Sequence, residues 1–336
     1  MLNAPFPYFG GKSKIAHEVW LRFGNVANYV EPFFGSGANL LARPKNEWCD
    51  GRVETVNDLN GYIANFWRAV QHDPNAVAYY ADWPVNENDL HARHAWLTAQ
   101  RDDIQLRLEG DPDWFNAKIA GWWVWGMSCW IGGGFCSGQG TWQQIDGELV
   151  NVKGNAGLGV YRKLPHLRNA GMGVNRKRPH LSGAGMGVHR KRPLTEWMFA
   201  LSERLRRVRV CCGDWKRVCA PSVTFTHGVT GVFLDPPYSA KTGRNMNCYG
   251  HTDNGDVAHA VRAWAIEHGA NPLMRIALCG YDGEHVMPDG WAVFAWKANG
   301  GYGSQRKNGT NENSHRERIW FSPACLSCQT QKQLTI

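Results

Sequence analysis

Asp235, Pro236, Pro237 and Tyr238 follow directly on the apolar run Gly231-Val232-Phe233-Leu234. A buried strand that ends in a carboxylate, two prolines and an aromatic puts a rigid set of acceptors at the carboxyl edge of a sheet, where open α/β folds bind ligands. Proline fixes φ and carries no amide hydrogen, so the carbonyls of this run stand as acceptors in a pre-set geometry. That chemistry suits a planar amino group. The Asp235 side chain and the Pro236 carbonyl can each accept one hydrogen of an exocyclic NH2, which turns the nitrogen lone pair toward an electrophile, while Tyr238 stacks on the ring. The plain alternative is a proline-stiffened turn after a core strand.

Such a corner needs a second loop to bring the electrophile to it. Tyr8-Phe9-Gly10-Gly11-Lys12 is followed by Asn28-Tyr29-Val30-Glu31-Pro32-Phe33-Phe34, a short apolar strand that runs into the turn Gly35-Ser36-Gly37 and a helix-like stretch. Glycine allows the tight turn and the close approach of backbone to ligand found in nucleotide-binding loops. The third glycine of a dinucleotide fingerprint is missing, and Gly10-Gly11-Lys12-Ser13 lacks the upstream glycine of a P-loop. Glu31, ahead of the turn, would face a cationic or hydroxylated ligand. Glu54 to Asp58 reads as a second strand, ending about twenty residues past the glycine turn, where a doubly wound fold places the acid that binds ribose hydroxyls. Ile63, Phe66, Trp67 and Val70 then recur at helical spacing. Asp58 is therefore read equally well as that helix's N-cap.

Taken together, Phe9-Gly10-Gly11-Lys12, Glu31-Pro32-Phe33 with Gly35-Ser36-Gly37, Asn57-Asp58 and Asp235-Pro236-Pro237-Tyr238, in this order, resemble the D12 class of DNA adenine-N6 methyltransferases, the Dam-like α-group enzymes. The resemblance covers residues 5 to about 71 and about 196 to 322. It implies an α/β fold: a Rossmann-like S-adenosylmethionine-dependent methyltransferase domain with an inserted target-recognition region. It also implies S-adenosyl-L-methionine as methyl donor and double-stranded DNA as substrate. Carried over by position, Tyr8, Lys12 and Asp58 contact the donor, together with the surrounding Phe9, Gly10, Gly11, Glu31, Pro32, Phe33, Gly35, Ser36 and Gly37. Asp235 holds the target amine. Gly213-Asp214-Trp215 looks like the family's acidic position after a strand, with Asp214 and Trp215 on the donor's adenine. The family often has Trp where Tyr8 stands.

Methyl transfer from a sulfonium to an amine is an in-line displacement, so the protein orients the two partners and stabilises the amine as it becomes cationic. The reaction requires no metal and no covalent nucleophile. A base inside a duplex cannot reach such a pocket, so the target nucleotide is expected to be extruded and stacked on Tyr238.

The division expected from these motifs is a catalytic domain over 1–72 and 196–324, a target-recognition insertion over 73–195, and a tail over 325–336. With 336 residues and 43% hydrophobic content, including 17 Trp, the chain can bury a large core. The net charge of +8 is local. Residues 151–195 hold ten Lys or Arg and no acid, leaving 27 basic against 29 acidic residues elsewhere. Within 154–194 a 14-residue unit repeats three times, the last copy one residue short, each with a Gly-x-Gly-Val and a basic pair. The pairs and their extensions, Arg162 and Lys163, then Arg176, Lys177 and Arg178, then Arg190, Lys191 and Arg192, are read as DNA contacts, against the alternative of a solvated glycine-rich loop. Glycine and proline exclude a helix there.

Trp114 to Trp130 reads as a helix whose Trp122, Trp123, Trp125 and Trp130 belong to the core. Cys136 to Gln144 is the recognition-loop candidate. Thr195 is read as the N-cap of a helix with Leu194, Met198, Leu201, Leu205 and Val208 on one face, and Arg204 nearby. Cys211 and Cys212 fall in a core strand. Further strands are expected at 275–278 and 318–321, a helix at 257–268, and a loop at 244–249 whose Arg244 closes over the extruded base. Scattered cysteines and no recognisable leader suggest a reducing cytoplasm. Cys325-x-x-Cys328 alone is a weak zinc signal. Residues 119–145 lack charge, but glycines and polar residues interrupt them, so no membrane span is expected. A homodimer would suit a palindromic target. Cytosine-N4 methylation, a non-catalytic DNA-binding relative and protein amide methylation are the other readings. The sequence leaves open a solitary enzyme or the modification half of a restriction-modification system.

Overall fold

The computed structural model describes residues 2–6, 8, 12–44, 52–130, 135–136, 142–145, 148–151, 193–238, 257–296 and 316–327. The basic repeat up to Arg192, Phe9 to Gly11, and Arg244 with its loop lie outside the described residues.

In chain order the elements are α1 (Ala16–Phe23), β1 (Asn28–Glu31), α2 (Ala38–Leu41), β2 (Val53–Asp58), α3 (Gly61–His72), α4 (Pro74–Ala81), α5 (Glu87–Ala99), α6 (Arg101–Gly110) and α7 (Ala117–Cys129). They continue with β3 (Trp142–Ile145), β4 (Glu148–Asn151), α8 (Leu194–Leu205), β5 (Val208–Cys212), β6 (Thr230–Leu234), α9 (Val257–His268), β7 (Met274–Tyr281), β8 (Ala292–Ala295) and β9 (Glu317–Phe321). Seven strands form one sheet in the order β5-β2-β1-β6-β7-β9-β8. From β5 to β7 every neighbouring pair is parallel, and β9 runs antiparallel to both β7 and β8. This is a mixed α/β fold with a parallel-dominated sheet.

Central strands covered on both faces need apolar side chains throughout. Every residue of β1 and β6 is buried, so Gly231 to Leu234 reads as an unbroken apolar run because neither face meets water. On α3 the stripe Ile63, Phe66, Trp67 and Val70 is completely buried, as its spacing predicts. Its N-cap is Asn60, whose side chain accepts from the Tyr62 amide at 3.0 Å. The capping alternative for Asp58 therefore falls: the chain needs two more residues to turn from β2 into the helix.

Helix α8 begins two residues earlier than the sequence suggests. Pro193 occupies the N-cap position and makes no side-chain cap, which places Thr195 inside the first turn. Leu194, Met198, Leu201 and Leu205 form the buried face, while Val208 already belongs to β5. Gln143 and Gln144, expected in a loop, lie in the β3–β4 hairpin. Trp123, Trp125 and Trp130 are core residues, and α7 packs on α3 and α4.

Arg204 is buried. With Arg43 it closes on the buried carboxylate of Glu54: Arg204 Nη1 lies 2.7 Å from Oε2 and Arg43 Nη1 2.9 Å from Oε1. Nη2 of Arg204 and Nη2 of Arg43 donate to the Leu40 and Val26 carbonyls. This triad fastens α8 to the first strands of the sheet. Among the described residues no helix is long and apolar enough to cross a membrane.

Candidate active site

Five parallel strands end on one edge. Glu31 closes β1, Asp58 closes β2, Asp214 follows β5, Asp235 follows β6, and Tyr281 closes β7. The chain steps from β1 outward to β2 and β5, then returns to lay β6 on the opposite flank of β1. Loops leaving β1 and β6 diverge at this switch point, and there open α/β sheets hold their ligands. Because β9 is antiparallel to β7, with Tyr281 opposite Glu317, the first residue of β9 reaches the same edge.

Lys12 lies 226 residues from Tyr238 in sequence and meets it here. Its carbonyl accepts from the amides of Ile15 and Ala16, so the backbone turns into α1 and the side chain is sent to the end of β6. Nζ lies 3.0 Å from Asp235 Oδ1, donates to Tyr238 Oη at 3.0 Å, and is 3.8 Å from Glu317 Oε2. Tyr238 Oη stands 2.8 Å from Glu317 Oε2 and 3.4 Å from Asp235 Oδ1. A phenol has one hydrogen to give, and the shorter contact takes it. The order of donation is thus Lys12 to Tyr238 to Glu317.

Burial alone would lower the Lys12 ammonium, but the carboxylates of Asp235 and Glu317 outweigh it and raise its pKa above the ordinary value. Burial raises the Asp235 carboxyl, with Lys12 opposing, and does the same to Glu317. The two directions are compatible because two carboxylates share one cation. Cys279 of β7, itself fully buried, sits beside Asp235, and burial holds its thiol well above its usual range. Asp235 keeps 20% of its side chain exposed, against 4% for Lys12. The cluster is therefore open on the Asp235 side.

The loops that follow β1, β2 and β5 are tied to one another. Gly35 and Gly37 adopt φ of 49° and 68°, in the left-handed region that favours glycine. A Cβ on Gly35 would come within 2.7 Å of the Tyr8 ring, so Tyr8 covers the turn at van der Waals distance. Trp67 Nε1 donates to the Gly35 carbonyl at 2.9 Å from below. Asn57, fully enclosed, donates to the Pro32 and Gly213 carbonyls at 3.1 and 2.9 Å and joins the loops after β1 and β5. Asp58 accepts from the Gly35 amide at 2.8 Å and the Asn60 amide at 2.9 Å; burial still pushes its carboxyl up to about 6.

Of the residues singled out by sequence, the fold brings Tyr8, Gly35, Ser36, Gly37 and Asp58 to one side of the switch point, and Lys12, Asp235, Pro236, Pro237 and Tyr238 to the other. Glu31, between them, is buried, and its Oε2 accepts from the Tyr29 hydroxyl at 2.7 Å. Burial is also the main reason its carboxyl stands well above the usual range. Pro32 is buried and Phe33 half-buried. Asp214 is exposed, and its Oδ1 accepts from the Lys216 amide. Trp215 is buried, packed against Phe33 and Trp264 at 6.2 and 6.3 Å between ring centres. Tyr238 differs most from expectation. It is 9% exposed, with its ring edge-on to Tyr281 at 4.6 Å and its hydroxyl engaged, an arrangement that anchors the ring. Glu317 and Asn57 were not assigned these contacts by sequence reasoning. An acid flanked by Arg316 and Arg318 looks like a solvated charge run, and only strand pairing shows where it lands.

The site is thus a mixed α/β sheet whose parallel strands converge on a buried lysine, two carboxylates and a glycine turn. The family model of the D12 class N6 adenine-specific DNA methyltransferases matches residues 8–108. The match indicates a DNA adenine methyltransferase, and the seven-stranded fold is consistent with one. It takes in Tyr8, Lys12, the glycine turn and Asp58, and stops short of Asp235. A comparison with curated proteins found no match.

Proposed function

We propose that the protein transfers a methyl group from S-adenosyl-L-methionine to the N6 amine of adenine at a specific sequence of double-stranded DNA, with the target base turned out of the helix. The observation that carries this reading is Asp235: at the sheet's switch point, paired to Lys12 at 3.0 Å, and still 20% exposed toward solvent. The donor supplies an electrophilic methyl on a sulfonium. Its ribose hydroxyls fit Asp58, a half-buried carboxylate beside a turn whose two left-handed glycines leave room for close approach. Its adenine fits the exposed Asp214, with Phe33 alongside over Trp215.

On this reading Asp235 and the Pro236 carbonyl accept the two amine hydrogens and point the nitrogen lone pair at the methyl carbon. As the new N–C bond forms and the C–S bond breaks, positive charge develops on nitrogen next to the Asp235 carboxylate, and a proton then leaves the amine. The chain contributes orientation and fixed negative charge, both of which act most strongly in a partly desolvated site. We assign Tyr238 to holding Lys12, since its ring and hydroxyl are already engaged. Rossmann-like organisation of 1–72 with 196–324, and recognition by 73–195, belong to the same proposal. So does phosphate binding by the basic repeat: deleting residues 168–181 should weaken DNA binding and flatten its dependence on salt.

The test is to incubate the protein with labelled donor and DNA, digest to nucleosides and identify the labelled base. Label in N6-methyl-2′-deoxyadenosine is expected. Label in N4-methylcytosine would move the reading to the cytosine amine, and no label in any base would overturn it.

A further inference from the structure

We propose that Glu317 is a positioning residue of this site: it holds the Lys12 ammonium and the Tyr238 hydroxyl from the side opposite Asp235, which keeps the Asp235 carboxylate available to the target amine. The inference rests on the methyl-transfer reading above and extends it to a residue from the far end of the chain.

The argument begins with the geometry. Glu317 is 4% exposed, and Oε2 takes the Tyr238 proton at 2.8 Å while facing Lys12 Nζ at 3.8 Å. Lys12 donates to the same Tyr238 oxygen and lies as close to Asp235. Asp235 and Glu317 divide the charge of one ammonium, and without Glu317 the Tyr238 hydroxyl would be a neutral partner only, so the whole of that charge would fall on Asp235. A lysine locked onto Asp235 would compete with the incoming amine for the same oxygens.

Counting charge leads to the same place. Lys12 with Asp235 and Glu317 ionised carries one surplus negative charge. An amine becoming cationic at Asp235 brings the cluster to neutrality, so the arrangement matches the transition state better than the resting state. Replacing Glu317 by a neutral residue would leave the resting cluster neutral and the transition state with an uncompensated positive charge. The other groups around Glu317 do not replace it. The Cys279 thiol is held well above its usual range by burial. Glu284 accepts from the Tyr281 amide, Arg318 pairs with Asp282 at 3.0 Å, and Arg316 lies over the Tyr281 ring.

Glu317→Gln keeps an acceptor for the Tyr238 hydroxyl and removes the charge. The expected result is a kcat about 10- to 100-fold lower with little change in KM for DNA, less than the roughly 100- to 1,000-fold of a contact at the reacting centre because Glu317 acts through Lys12. The acid limb of the pH–rate profile should also move to lower pH, because Asp235 loses a like charge and gains an undivided Lys12. A purely structural role would lower the thermal midpoint without moving that limb. A wild-type limb or an unchanged kcat in Glu317→Gln overturns the proposal.

Glu317→Asp retains the charge and should keep the wild-type limb with a kcat loss under about tenfold; a shifted limb in this variant also overturns it, and this arm stands if the Gln variant fails to fold. A pH titration of 13C-carboxyl-labelled protein, with Asp235→Asn to assign the signal, follows the same shift without turnover. If wild-type protein methylates no base but the Asp235 carboxyl titrates lower in Glu317→Gln, the proposed function fails and the coupling between the two acids stands. An unshifted titration removes the Glu317 inference alone.

Discussion

Among the described residues, the Glu54 and Lys12 ionic clusters are both buried, and they are built in opposite ways. The Arg43–Glu54–Arg204 triad has two cations on one anion, side chains no more than 7% exposed, and Nη2 of each arginine on a backbone carbonyl. The Lys12 cluster has one cation between two anions, a phenol that accepts from the cation and donates to Glu317, and one carboxylate left open to solvent. Both raise the same electrostatic problem of charge in a poorly solvated place. The first is closed around a single arrangement. The second has surplus charge and an accessible face, which are the properties a site needs if it is to receive a group that becomes positive.

The contrast can be broken most forcefully at the triad. Glu54→Ala strands two buried guanidinium groups and should cost about 3–5 kcal/mol of stability, read from urea denaturation. Replacing Arg43, Glu54 and Arg204 together by Met, Leu and Met should restore most of that loss and leave methylation within about threefold of wild type, since a buried ion cluster serves stability no better than apolar packing. Loss of transfer in the triple variant at normal stability would put the triad in the chemistry. At the open cluster the reverse is expected. Lys12→Met should lower transfer by about 100-fold or more, the scale of a lost charged contact at a reacting centre, and move the thermal midpoint far less than Glu54→Ala does.

A smaller effect sharpens the donor side. Asp58 holds its proton up to about pH 6 in the folded protein, against about 4 for an ordinary Asp. A carboxyl raised in this way favours the folded state at low pH and costs stability as pH rises through about 6, where the buried group must ionise. Donor affinity should run the other way, because ribose hydroxyls need the ionised acceptor. Calorimetric titration with S-adenosyl-L-methionine should show affinity falling below about pH 6, and Asp58→Asn should be weak and pH-independent. A wild-type affinity unchanged through that region would remove Asp58 from the donor site.

Much of this was legible in the chain. The strands β6 and β7 announce themselves because parallel, doubly covered strands are apolar on both faces, and α9 ends where its sequence pattern ends. Helix α5 was hidden for a physical reason. Its buried stripe is Leu90, Arg93, His94 and Leu97, half of it polar, with Arg93 4.2 Å from the centre of the Trp125 ring and His94 stacked on Trp130. An apolar periodicity cannot register a face completed by a cation on tryptophans. Asp58 and Tyr238 were placed at the correct edge, but their contacts depend on chains of donors from distant loops. Glu317 lies 79 residues beyond Tyr238 and is brought to it only by the antiparallel pairing of β9 with β7. A residue's type gives its chemistry, whereas its partner at that range is fixed by topology.

The central claim is that the open cluster performs the transfer and the closed one only holds the fold. Asp235→Ala tests it most directly, assayed for N6-methyladenine in DNA and for thermal midpoint on the same preparation. The account predicts a transfer rate down by at least about 1,000-fold, as expected for removal of the group that holds the reacting atom, with a midpoint close to wild type. A variant that still methylates adenine at the wild-type rate would contradict it.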